Sequence, residues 1–201
     1  MPEKTAKIIS IVFHPVLVPT LGMLLLLNSG FYFSMLSWEA KRFILVVFFF
    51  STGIMPMLTL AILALNPKFD IIMPHSRDRI IPLLFTSAFY YLGFMLLNKM
   101  RAFPVFKVFM IASVLVIVVL LLISFTWKIS SHMAALGALS GTLFALSFRS
   151  GVNPLWSIIL VILISGIVGA ARLILKRHTL GQIAAGYFSG FLILYLVIYF
   201  V

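Results

Sequence analysis

The sequence predicts an all-α protein, a polytopic bundle of about six to seven transmembrane helices forming one integral membrane domain over residues 1–201. Three observations carry this. Of 201 residues, 63% are hydrophobic and only 9% are charged, far below the roughly one quarter charged that a soluble domain carries. The apolar residues fall in long runs, and about 20 residues at 1.5 Å each cross a bilayer core of roughly 30 Å. The runs lack the alternation over roughly 10 residues that marks strands of a membrane barrel. Disorder is excluded, because it needs low hydrophobicity.

In chain order, the first run covers about 7–34. It is too long for a cleavable leader, contains His14, Pro15 and Pro19, and ends in no small-residue cleavage site. The second covers about 40–65, the third about 80–99, entered through Pro82, and the fourth about 103–126. The fifth, about 133–148, is short enough to require tilt or a thin membrane. The sixth and seventh cover about 153–173 and 180–201. Small residues, namely Ala134, Ala135, Gly137, Ala138, Gly141, Gly166, Gly169 and Ala170, mark places where helices approach closely.

Fifteen Lys or Arg against four Asp or Glu give a net charge of +11. The cations sit in the breaks between runs, where they suit helix ends and anionic head groups of bilayer lipids rather than nucleic acid. If every run crosses, the N-terminus and the 66–79, 128–132 and 172–178 breaks share one face. That face carries nine cations, Lys68 among them, against six on the other, Arg101 among them. Some of the nine belong to a candidate site, so the count does not set orientation. Cysteine is absent, which excludes disulfides and thiolate chemistry. Carboxylates are nearly absent, at four in the chain.

Three polar breaks collect the chemistry. The first holds His75, Arg77 and Arg79 before Pro82. The second holds Lys128, Ser130, Ser131 and His132 at the start of the fifth helix. The third holds Arg172, His178 and Gln182. Ionisable groups at a membrane edge point to function. His178 and Gln182, four apart, share a helical face, and an imidazole held at one nitrogen can use the other as nucleophile or base. Arg172 offers a planar fork to phosphate oxygens. A helix start preceded by serines favours an anion. Three such helix ends on one face describe an anion pocket. The remaining cations read as helix-end residues that snorkel to head groups, His14 as an interfacial or packed residue and His75 as a loop residue.

The pattern resembles the type 2 phosphatidic acid phosphatase superfamily over about residues 66–201. Its third signature, Ser-Arg, five residues, His, three residues, Asp, aligns with Ala171-Arg172, His178 and Gln182. Its second, Pro-Ser-Gly-His, aligns with Ile129-Ser130-Ser131-His132. Its first, Lys, six residues, Arg-Pro, aligns with Ile72 and Arg79-Ile80. The chain departs from the family at Gln182, Ser131 and Ile72, with Lys68, Lys128 or Arg77 available for the missing Lys.

The resemblance implies a phosphohydrolase that needs neither metal nor cofactor and acts on a lipid phosphate or polyprenyl diphosphate, and the membrane expected for the chain is the plasma (inner) membrane. His178 would be the nucleophile and His132 the acid and base. Arg172, Arg79, Ser130 and Ser131 would hold the phosphate, and Gln182 would orient His178. The alternative is a weakened relative that binds or moves lipid phosphates. The oligomeric state is open.

Overall fold

A computed structural model describes residues 1–67, 69, 70, 73, 75–99 and 104–201. Lys68, Ile72 and Arg101 lie outside the described residues. Among the described residues nine α-helices follow one another: α1 Glu3–Val12, α2 Val18–Leu26, α3 Trp38–Phe48, α4 Met55–Ala64, α5 Ile80–Lys99, α6 Pro104–Ser124, α7 Ser131–Ser150, α8 Leu155–Ile174 and α9 Leu180–Phe200. A π-turn, Phe49–Ile54, joins α3 to α4 into one 27-residue rod. Among the described residues six helical stretches are long and apolar enough to cross a membrane: Trp38–Ala64, Arg77–Lys99 and α6 to α9. The chain is an all-α helical bundle of the integral membrane kind.

Two expectations change. The first run is not one helix. Pro15 has no N–H to donate and disfavours helical geometry at His14, so the chain breaks there into α1 and α2. The fifth run is not short, because α7 reaches 20 residues by including Ser131 at one end and Arg149 and Ser150 at the other.

Helix α7 is the axis of the bundle. It is 72% buried, against 22–44% for the other five spans. Its closest neighbour is α9, and glycine permits the approach. A β-carbon at Gly137 or Gly141 would strike the backbone carbonyl of Tyr187 or Phe191, and one at Gly190 would strike that of Ala134. Lipid offers helices no hydrophobic drive to associate, so backbone proximity and dispersion hold this pair. Gly166 meets nothing within 4 Å and Ala170 is exposed, so neither is the contact the sequence suggested.

The two ends of the bundle differ. At one, Arg149 donates to the Ile198 carbonyl at 2.9 Å and the Val201 carbonyl at 3.2 Å, a cation on the negative end of α9. Near it, Ser29 and Ser157 pair at 2.8 Å. At the other end, the starts of α5, α7 and α9 gather with the finish of α8. Arg79 donates to the Ile129 carbonyl at 2.7 Å, and the Ser130 N–H to the Gln182 carbonyl at 3.3 Å.

Candidate functional site

The turn from α8 to α9 sets the spacing between Arg172 and His178. Its hydrogen bonds run from the Arg177 N–H to the Arg172 carbonyl at 3.1 Å and from the Lys176 N–H to the Leu173 carbonyl at 2.9 Å. This is a Schellman stop. Lys176 occupies its left-handed position with φ 50°, where glycine is usual. Three residues on, Thr179 caps α9 in a reciprocal box: its hydroxyl accepts the Gln182 N–H at 3.4 Å and Gln182 Oε1 accepts the Thr179 N–H at 3.1 Å. Thr-x-x-Gln is a helix-start signature that the sequence analysis passed over.

Gln182 Oε1 also lies 3.2 Å from His178 Nδ1, and the Lys128 carbonyl lies 3.2 Å from the same nitrogen. Both partners are acceptors, so Nδ1 carries the hydrogen and Nε2 keeps its lone pair. Burial, then the Arg79 and Arg172 charges, push the His178 pKa down to about 4. His178 is therefore a neutral imidazole near pH 7 with one nitrogen fixed and the other free.

His178 opens onto a cavity of about 370 Å³ whose rim also carries Arg79, Ser131, His132, Arg172 and Arg177. Arg172 Nε is buried with no partner. The ion pairs among the described residues are Lys7–Glu3 at 3.1 Å and His75–Asp78 at 3.5 Å, so none of these arginines is paired. Burial, then Arg79, Arg177 and Arg172, also pull the Lys128 ammonium below its ordinary value. This excess of positive charge faces the α7 start, whose N-cap residue Ser130 makes no side-chain cap. Unpaired guanidinium groups beside an uncapped helix start attract an oxyanion of high charge.

Two elements of the rim come from the broken first run. His132 Nε2 lies 3.1 Å from the Ser10 carbonyl, so in the neutral ring Nε2 carries the hydrogen and Nδ1 the lone pair. His14, at the break itself, lines the cavity and meets the His132 ring edge-on at 5.5 Å.

Of the site residues expected from sequence, the structure brings Arg79, Ser131, His132, Arg172 and His178 around this one cavity. It does not bring Ser130 there: that side chain is fully buried, its Oγ has no partner and it does not line the cavity. Gln182 reaches the site through His178, while Lys128 offers its carbonyl to His178 and adds its ammonium to the charge of Arg79, Arg172 and Arg177. Arg77 is exposed and points to the Phe125 carbonyl at 3.5 Å. Arg177 and His14 were missed as site residues. Adjacency to His178 signals the first, and the proline break signals the second. Among the described residues, no three acidic or imidazole side chains are placed to hold a metal.

Comparison of this chain with protein-family models, curated proteins and solved structures finds no match.

Proposed function

We propose that this protein is a membrane-embedded phosphohydrolase for a lipid phosphate or isoprenoid diphosphate, working as the type 2 phosphatidic acid phosphatases do, through a phosphohistidine. One observation carries the reading: a neutral imidazole with its free nitrogen on a cavity rimmed by three unpaired arginines. The rest of the sequence resemblance supports it.

In this reading the phosphate sits among Arg79, Arg172 and Arg177, whose charges stabilise the equatorial oxygens as the transition state forms. The His178 Nε2 lone pair attacks phosphorus and the bond to the lipid oxygen breaks. His132, whose Nε2 N–H is committed to the Ser10 carbonyl, first takes the acidic proton of the substrate's phosphate monoanion at Nδ1 and passes it to that oxygen. Neutral His132 then takes a proton from water, whose oxygen attacks the phosphohistidine. The P–N bond breaks, and inorganic phosphate and the lipid alcohol leave.

A second reading is favoured by Gln182. A neutral carbonyl fixes the His178 tautomer but supplies no charge to an imidazolium, and losing such a charge in serine-protease triads lowers turnover by about 10⁴. The site would then hold or move lipid phosphates. Phosphate release from lipid phosphates and prenyl diphosphates by the nanodisc-embedded protein in chelator separates the two. Release that is abolished in His178→Ala supports the enzyme. Binding without release by a folded protein supports the carrier.

A further inference from the structure

Below its cationic rim the cavity continues into the bundle. Its lining runs from Arg79 to Tyr90 on α5, from Leu120 to Phe109 on α6 and from Ser131 to Leu139 on α7. Eleven residues of helix on α5 and on α6 make it about 16 Å deep, roughly half the hydrocarbon core.

Two hydroxyl groups on its walls are turned to their own helices. Thr86 donates to the Pro82 carbonyl at 2.7 Å and Ser113 to the Phe109 carbonyl at 2.8 Å. Each hydroxyl is satisfied by its own helix and offers little to a polar ligand.

The floor is closed. Tyr90 and Phe109 are 4% and 3% exposed. The Tyr90 hydroxyl bonds to Thr52, which also pairs with Thr20 at 3.2 Å. Beneath, Phe48 packs on Phe109 at 5.6 Å between ring centres.

We infer that this lower cavity is a pocket, closed at its floor, for one hydrocarbon chain of about twelve carbons, so that the protein selects single-chain, short-tailed amphiphiles with an anionic phosphate or diphosphate head. Two measures agree on the length. An extended chain advances roughly 1.2 Å per bond, so about 16 Å takes about thirteen bonds, the first of them belonging to the head. The volume of about 370 Å³, which includes the rim that the head occupies, sets an upper bound of about twelve methylene-sized groups at roughly 30 Å³ each. Neither figure leaves room for two long acyl chains or for a long polyprenyl chain. The head-group end of the inference rests on the proposed function. The chain-length limit rests on the cavity alone.

The test titrates the full-length protein in nanodiscs with non-hydrolysable n-alkyl phosphonates from hexyl to octadecyl, at equal mole fraction in the lipid. The n-alkanols of the same lengths run beside them, and thermal stabilisation is the readout. Phosphonates are expected to hold their affinity up to about dodecyl and to lose about tenfold or more by octadecyl, because a longer chain must displace a packed floor. Tyr90→Ala, which opens the floor, moves the break to longer chains. Ser113→Phe, which fills the cavity and removes no packing, moves it to shorter ones. An affinity unbroken from hexyl to octadecyl and unmoved by Ser113→Phe places the tail in the bilayer and overturns the inference, while tighter binding of phosphonates than alkanols would leave the anion site standing. A break shared equally by phosphonates and alkanols keeps the chain pocket and overturns the anion reading instead.

Discussion

Replacing Gln182 by aspartate puts a charge where the structure has only a carbonyl. Gln182 Oε1 lies 3.2 Å from His178 Nδ1, so a carboxylate in its place has its charge about 4 Å from the imidazolium. At an effective dielectric constant of about 20 that attraction is about 4 kcal/mol, or about three pKa units. The His178 pKa, now about 4, should rise toward about 7. If half of the imidazolium charge has developed at the transition state, about 2 kcal/mol is gained there, about thirtyfold in rate. The shorter side chain weakens the box with Thr179, which should cost about 1 kcal/mol of stability. The assay pairs a histidine NMR titration with chelator-treated phosphate release at a pH above the new pKa, so that His178 stays neutral. A raised pKa together with unchanged or lower turnover, in a folded protein, would refute the claim that the missing charge limits catalysis.

Other outcomes follow from the same geometry. Gly190→Leu should unfold the protein or lower its melting temperature sharply, since its β-carbon meets the Ala134 carbonyl, whereas Gly166→Leu, with open space around it, should be close to neutral in the same melt. Lys176→Gly should stabilise the protein by about 1 kcal/mol by relieving a left-handed φ of 50°, with no change in ligand binding. For acid, the His178 pKa is lowered from 6.5 to about 4, so the unfolded chain takes up the proton first. Its contribution to stability is intact above about pH 6.5 and is lost as pH falls toward 4, and its attack on phosphorus should fade only near pH 4. The stability limb should vanish from melts of His178→Ala, and the rate limb should be read on the unsubstituted protein.

The spans were legible because lipid contact demands long apolar runs, and no other structure tolerates them. The Schellman stop and the capping box were also legible in principle, since Thr179 and Gln182 stand at the required spacing. Side-by-side packing was only half legible. Gly137 and Gly141 announced a close approach, but Gly186 and Gly190 opposite them went unread, and Gly166 and Ala170 face away. A small residue on a lipid-facing surface looks the same in sequence as one at a contact.

The deep cavity was illegible for a related reason. Helices such as α5 are apolar on every side, so the sequence does not say how they are rotated, and Arg79, Thr86 and Tyr90 become one wall only in three dimensions. His14 was hidden because the run containing it reads as a continuous span until Pro15 is allowed to break it.

The central claim is that His178 Nε2 becomes bonded to phosphorus. Rapid quench of the nanodisc-embedded protein with ³²P-labelled dodecyl phosphate, in chelator, tests it most directly. The account predicts label that survives alkali, is lost in acid, maps to the peptide bearing His178 and accumulates in His132→Ala, where hydrolysis of the intermediate is slowed. Phosphate release at full rate with no label on His178, or label and turnover that persist in His178→Ala, would contradict it.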